Sequence, residues 1–289
     1  MSHTSAITAE GSTSAEIARV AALMKDRRVL VLSGAGISTE SGIPDYRGPG
    51  SAARKAQPIQ YREFVGDASA RARYWARSAV GWPRVSQAKP NAGHRALADM
   101  ERRAVVMALI TQNVDGLHQA AGSTRVVELH GALSEVVCLD CGAREERQRL
   151  QDRLLQLNPA WADGQFKAAV SVPDGDAAVE PPADGSFRVP VCLRCGGVLK
   201  PDVVFFGENV PRPRVDAAFA LMSEADVLLV VGSSLAVYSG YRFAVQAQER
   251  SMPLAIVNRG PCRADPLAAV RVEAALGDAL PLLADQLRS

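Results

Sequence analysis

Short, wholly apolar runs that end abruptly on glycine or a polar residue constrain this chain most. Arg28-Val-Leu-Val-Leu-Ser33 reads as a strand buried on both faces, and it stops at Gly34-Ala-Gly36. Similar runs recur at Val105–Thr111, Val126–Leu129, Val203–Phe206, Val227–Val231 and Leu254–Asn258. Helical patterns lie between them, for example Val215, Phe219 and Met222. Strands alternating with helices predict an α/β fold built on a doubly wound, Rossmann-like parallel sheet. Ahead of the first strand, Thr13-x-x-Glu16 is a capping-box pattern, and Ile17, Val20, Ala21 and Met24 follow at helical spacing. A helix from there to about Asp26 is expected, with residues 1–12 flexible before it.

Two stretches interrupt the alternation. Residues 50–100 are mostly helical and polar, with Tyr61, Phe64, Tyr74, Trp75 and Trp82 as aromatic punctuation. Residues 138–195 contain a Pro-, Asp- and Gly-rich run from Pro173 to Gly185 that reads as loop. A chain of 289 residues suits about two domains at roughly 150 residues each. We therefore expect a Rossmann-like domain from 27–49, 101–137 and 196–289, into which a small helical and metal-binding domain (50–100 and 138–195) is inserted.

Charge limits the partners. Lys and Arg number 33 against 31 Asp and Glu, a net +2 that gives no reason to expect nucleic acid or an anionic membrane. The apolar runs fall far short of the ~18 residues that span a bilayer. The first residues lack a signal-peptide core, so a cytoplasmic protein is expected. In that reducing setting the five cysteines point to a metal. Cys138-x-x-Cys141 and Cys192-x-x-Cys195 make a four-thiolate set of the kind that structural zinc prefers, while Cys262 is left over. Four protein ligands leave no open position, so the zinc is assigned to structure.

Several strand ends carry chemistry. Gly34-Ala-Gly36-Ile-Ser38 would let a pyrophosphate approach the backbone, although Thr39 stands where the dehydrogenase fingerprint has its third glycine. A tight strand-to-helix turn without a ligand is the competing reading. Glu40-Ser-Gly42-Ile-Pro-Asp45-Tyr-Arg47 follows, either a site loop or a solvated Asp–Arg pair. Thr111-Gln-Asn-Val-Asp115 offers an amide and a carboxylate at a strand end, where α/β sheets bind ligands; Asp115 could instead only cap the next helix. Of the four histidines, His130 alone follows a strand end and precedes a glycine, and it is the candidate base. Val203–Gly207 is an edge for an extended peptide or a plain core strand, and Gly232-Ser-Ser and Asn258 suit ribose or phosphate.

In order along the chain these motifs, together with Glu128-Leu-His-Gly131 and Lys200-Pro-Asp-Val-Val-Phe-Phe-Gly207, resemble the sirtuin family of NAD-dependent protein deacylases. Tyr46, the long cysteine linker, Tyr74-Trp-Ala-Arg77 and Val237-Tyr-Ser-Gly-Tyr241 are similar to its class II, mitochondrial-type branch in a bacterial-like form. The resemblance implies that NAD is consumed as co-substrate. Gly34, Ala35, Gly36, Ser38 and Thr39 would line its pyrophosphate, and Ile43, Pro44 and Asp45 its carboxamide. Tyr46, Arg47 and Arg54 would belong to a mobile cofactor loop, with Gln112, Asn113, Val114 and Asp115 at the nicotinamide ribose. Gly232, Ser233, Ser234, Asn258, Arg259, Gly260 and Leu276 would surround the adenosine half.

The implied chemistry has nicotinamide leave as a cationic group while the acyl-lysine oxygen attacks the ribose carbon. His130 then takes a proton from a ribose hydroxyl, with Asn113 as a second catalytic residue, giving lysine and O-acyl-ADP-ribose. Acylated-lysine proteins or peptides would dock on Val203, Val204, Phe205, Phe206 and Gly207, with the enzyme a monomer. In the branch that removes acidic acyl groups a Tyr-x-x-Arg pair binds the distal carboxylate, which implicates Tyr74 and Arg77; the alternative is a packed Tyr beside a solvated Arg. ADP-ribosyl transfer and lipoamide removal are alternative reactions within the family. A Rossmann dehydrogenase and a non-enzymatic zinc-ribbon binding module are the rivals outside it.

Overall fold

The structure is a computed structural model that describes residues 3–45, 58–159 and 185–288. The elements of the first half are α1 (His3–Met24), β1 (Val29–Ser33), α2 (Tyr61–Gly66), α3 (Ala68–Gln87), α4 (Ala92–Arg102), β2 (Val106–Thr111), α5 (Leu117–Ala120) and β3 (Val126–Glu128). A β-hairpin, β4 (Gly131–Cys138) and β5 (Arg144–Glu146), then leads into α6 (Arg147–Leu157). After it come β6 (Leu199–Val203), α7 (Arg212–Glu224), β7 (Val227–Val231), α8 (Tyr238–Glu249), β8 (Leu254–Val257), β9 (Val270–Val272) and α9 (Leu276–Gln286).

Six strands form the main sheet in the order β3-β2-β1-β7-β8-β9, and every pair in it is parallel. Strand side chains alternate between faces, so two cores form, one on each side. Val29, Val31, Leu229 and Val231 pack with α1, α4 and α9, while Leu30, Leu32, Leu228 and Val230 pack with α7 and α8. Strands buried on both faces must be apolar throughout, which is why β1 and β7 read so plainly.

The second sheet is antiparallel, ordered β5-β4-β6. With α2, α3 and α6 it encloses a separate aromatic core, where Phe64, Tyr74 and Phe205 meet with ring centroids 5.1–5.5 Å apart. Arg147 is 1% exposed in this core, its guanidinium 5.4 Å from the Trp75 ring and 5.1 Å from the Trp82 ring. It donates to the Ser78 carbonyl at 3.1 Å and to Gln151 Oε1 at 2.9 Å.

Several expectations shift. Helix α1 begins at His3, so Thr13 and Glu16 lie inside it rather than at its start. Ala96, Leu97 and Met100 of α4 pack into the main core, moving 92–100 away from the small domain. Leu133, Val136, Leu199 and Val203 pack into the small core, moving β4 and β6 away from the sheet. The apolar run 203–206 is not a strand: only Val203 ends one, and the strand itself is Leu-Lys-Pro-Asp-Val. Pro201 is tolerated there because β6 is an edge strand. Most of the loop expected at 173–185 lies outside the described residues.

Candidate active site

Strand β1 has β2 on one side and β7 on the other, so the chain's connections part in opposite directions at its carboxyl end. Crevices at such points bind ligands in open α/β sheets. A cleft of about 1220 Å³ lies there, walled by the ends of β1, β2 and β7 and by the small domain. It brings together Gly34, Ala35, Gly36, Ser38, Thr39, Ile43, Asp45, Gln112–Asp115, His130, Val203–Gly207, Gly232–Ser234, Asn258–Gly260, Leu276 and Tyr74. Pro44 and Arg77 do not line it. Tyr46, Arg47 and Arg54 lie outside the described residues.

The glycines are required by close backbone approach. Gly36 N–H donates to the Gly232 carbonyl at 2.8 Å, and a Cβ on Gly36 would stand 2.8 Å from that same oxygen. Gly232 has φ +60, and a Cβ there would meet Ile37 N at 2.5 Å. Two strand ends thus meet with no side chain between them, leaving a floor that phosphate oxygens could reach.

Beside this floor runs a polar chain. Asn113 Nδ2 donates to the Gly34 carbonyl (3.2 Å) and to Ser38 Oγ (3.1 Å), and Ser38 Oγ donates to Asp115 Oδ2 at 2.7 Å. Asp115 Oδ1 accepts from Leu117 N–H at 3.0 Å, closing an Asx-type turn over Gly116, which is itself the N-cap of α5, and the residue faces the cleft. Burial holds its carboxyl above the ordinary range, against the opposing pull of these bonds. Such a set can orient sugar hydroxyls or a carboxamide.

His130 sits where β3 hands over to β4. Its Nδ1 lies 3.0 Å from the Gln112 carbonyl oxygen and its Nε2 lies 2.8 Å from Ser239 Oγ. A carbonyl only accepts, so Nδ1 carries the proton and Nε2 keeps its lone pair. Burial, and then the Arg214 and Arg242 cations, pull the imidazole below its ordinary pKa, opposed by the Gln112 bond. A neutral ring with one basic nitrogen at the cleft is what a general base requires. His94 and His118 sit behind the wall, in edge contact with each other 5.0 Å apart, and burial lowers them to about 4 and about 3. Ser239 and Arg242 also line the cleft and were not foreseen. Ser239 lies in the Val237-Tyr-Ser-Gly-Tyr241 stretch that carried the class II resemblance, which was the available signal, and Arg242 follows it directly.

Opposite stands the segment Val203–Gly207. Its edge is partly used: Val204 N–H donates to the His130 carbonyl at 2.8 Å, Phe205 N–H to Glu208 Oε2 at 2.8 Å, and the Phe206 carbonyl accepts from Tyr61 N–H at 2.9 Å. Lys200 Nζ, 3.0 Å from Glu208 Oε2 and 3% exposed as a residue, braces this segment from below.

The four paired cysteines converge. All their sulfurs lie within 4.8 Å of one another, with Cys138 and Cys195 3.5 Å apart and Cys141 and Cys192 3.8 Å apart. A tetrahedron with Zn–S bonds of ~2.3 Å has edges of about 3.8 Å, so the set fits zinc. Both Cys-Leu-x-Cys-Gly turns close alike, Gly142 N–H on the Cys138 carbonyl and Gly196 N–H on the Cys192 carbonyl. Cys262 is buried in the main core, apart from them.

A dinucleotide-type sheet with a polar, histidine-bearing cleft beside a four-cysteine module defines an enzyme class rather than a binding ribbon. Residues 34–239 match the model of the Sir2 family. The chain is 51% identical over 275 residues to NAD-dependent protein deacetylase 1 of Mycobacterium avium (strain 104), covering 94% of this chain and 96% of that protein. It is 51% identical over 260 residues to the human NAD-dependent protein lipoamidase sirtuin-4, mitochondrial, covering 89% and 82%. A solved structure of a Sir2 enzyme with a p53 peptide and NAD+ superposes with a TM-score of 0.70 at 28% identity, covering 93% of this chain and 97% of that one. This chain belongs to the Sir2 family, the sirtuins.

Proposed function

We propose that this protein is an NAD-dependent protein-lysine deacylase that transfers the acyl group to ADP-ribose and releases nicotinamide. The observation that carries the reading is His130: a base nitrogen with its lone pair free of protons faces the same cleft as the Asn113–Ser38–Asp115 chain. NAD, when bound, supplies an electrophilic ribose carbon and nicotinamide as leaving group. Gly34 and Gly36 leave room for its phosphates, while Asn113, Ser38 and Asp115 hold the sugar and carboxamide polar groups. His130 takes a proton at Nε2 while Nδ1–H stays on the Gln112 carbonyl, which typically contributes ~10²–10⁴-fold. Val114, Leu133 and Phe205 give the cleft an apolar wall suited to an acyl-lysine chain, and Val203–Gly207 offers its remaining backbone groups to the peptide. Zinc on Cys138, Cys141, Cys192 and Cys195 supplies structure.

The acyl group is a separate matter, because relatives named as deacetylases and as a lipoamidase are equally similar to this chain. Tyr74 packs among aromatic rings at the cleft and Arg77 stands off its lining, so a carboxylate-binding pair is the weaker arrangement. Cytoplasmic residence belongs to the same reading, since four thiols set for one metal suit a reducing compartment. Mass spectrometry of NAD incubations with acetyl-, lipoyl-, glutaryl- and methylglutaryl-lysine peptides tests it. Nicotinamide with O-acyl-ADP-ribose is expected. Modified protein without acyl loss would mean ADP-ribosyl transfer, NADH a dehydrogenase, and unchanged NAD on every peptide the end of the proposal.

A further inference from the structure

Two groups hold the base, one on each ring nitrogen. The Gln112 carbonyl holds His130 Nδ1 at 3.0 Å, and Ser239 Oγ holds Nε2 at 2.8 Å. Ser239 stands in the first turn of α8, next to Gly240, and a Cβ on Gly240 would stand 2.4 Å from Gln112 Oε1. Glycine therefore lets the first turn of α8 press directly onto Gln112, the residue that anchors the other side of the imidazole. Gln112 Nε2 in turn donates to Ser233 Oγ at 2.8 Å, tying the same residue to the end of β7. The Gln112 carbonyl accepts, which obliges the Ser239 hydroxyl to donate to Nε2. Ser239 lines the cleft and makes no other side-chain hydrogen bond among the described residues.

We propose that Ser239 is a positioning residue for the base. Its hydroxyl donates to Nε2 and so holds the His130 ring, whose Nδ1–H tautomer the Gln112 carbonyl sets, with Nε2 toward the cleft, and it yields that nitrogen to the sugar hydroxyl that His130 deprotonates. In that exchange the sugar O–H bond breaks, its proton forms the Nε2–H bond, and the electron pair stays on the sugar oxygen. Ser239 keeps its own proton and accepts from the new imidazolium. The kinetic part rests on the deacylase reading; the tautomer does not.

Two measurements on Ser239→Ala and Ser239→Thr test the proposal. Imidazole nitrogen NMR, with the His130 signals assigned by their loss in His130→Gln, needs no cofactor. It should show a protonated Nδ1 and a hydrogen-bonded Nε2 in the native chain, a shift of Nε2 toward the unbonded value in Ser239→Ala, and its return in Ser239→Thr. With NAD and acyl-peptide, the ratio of acyl transfer to nicotinamide exchange should fall about three- to tenfold in Ser239→Ala, the size of one net hydrogen bond, with KM for peptide unmoved and with recovery in Ser239→Thr. A proton on Nε2 in the native chain, an unmoved Nε2 signal in Ser239→Ala, or an unchanged ratio would overturn it. Absence of nicotinamide release from the native chain would defeat the deacylase reading instead, and the spectra alone would then decide Ser239.

Discussion

The main sheet buries Val29, Val31, Leu229 and Val231 on one face and Leu30, Leu32, Leu228 and Val230 on the other, with exposures of 0% throughout. The small domain buries a cation, Arg147, between two indoles, and gathers four thiols at its tip. One region is held by apolar area, which is non-directional and tolerant of sequence. The other adds to its own aromatic core a few directional contacts, each of which fails if a single partner is lost. Because the cleft takes one wall from each, its shape requires both kinds of stability to hold under the same conditions.

Removing the metal should separate the two most sharply. A structural zinc contributes on the order of 10 kcal/mol, far more than any one side chain here. Chelation of the holoprotein, or Cys195→Ser, should abolish the near-ultraviolet signal of Trp75 and Trp82, while amide exchange in β1 and β7 stays slow. Loss of protection in both regions together would show that the sheet relies on the metal module.

Acid should strike the sheet side next. His94 and His118 sit at about 4 and about 3 in the folded chain, against an ordinary 6.5. As pH falls, the unfolded chain therefore takes up protons first. The stability these neutral rings contribute is whole above pH 6.5 and drains away as pH drops toward 3, on the order of 3 kcal/mol for His94 and about 5 kcal/mol for His118. His94→Gln should flatten the acid limb of a denaturation-against-pH curve, and Gln at that place keeps the capping arrangement with Asn91. An unchanged slope would remove the buried pair from the account.

Smaller effects follow. Leu229→Ala, in the centre of the sheet, should cost ~2–5 kcal/mol in urea melts with an unchanged m-value. Arg147→Lys should cost about 1–2 kcal/mol, because an ammonium neither stacks between Trp75 and Trp82 nor reaches Ser78 and Gln151 together. If Arg147→Lys proved the costlier of the two, the contrast between the regions would be stronger than drawn above.

Most of the sheet was legible because strands covered on both sides carry unbroken apolar runs. Strand β9, Val-Arg-Val, was too short and too charged to read, and β6 hid behind Lys200 and Pro201. The amphipathic face of α4 announced that the helix packs, without saying on which core. In the site, glycines, amides and His130 could be named from strand ends. Ser239 could not, since a serine in the first turn of a helix is ordinary until the fold sets it 2.8 Å from a particular nitrogen.

Local chemistry in the chain settled the strand and helix types, the thiol pairs that suit zinc and the family, because apolar periodicity, Cys-x-x-Cys spacing and glycine at strand ends are properties of neighbours. Which core each helix joins, which nitrogen of His130 keeps its lone pair and what Asp115 bonds were decided by tertiary structure alone. Those outcomes depend on atoms far apart in sequence brought within hydrogen-bond distance, where a shift of one ångström makes or breaks the contact.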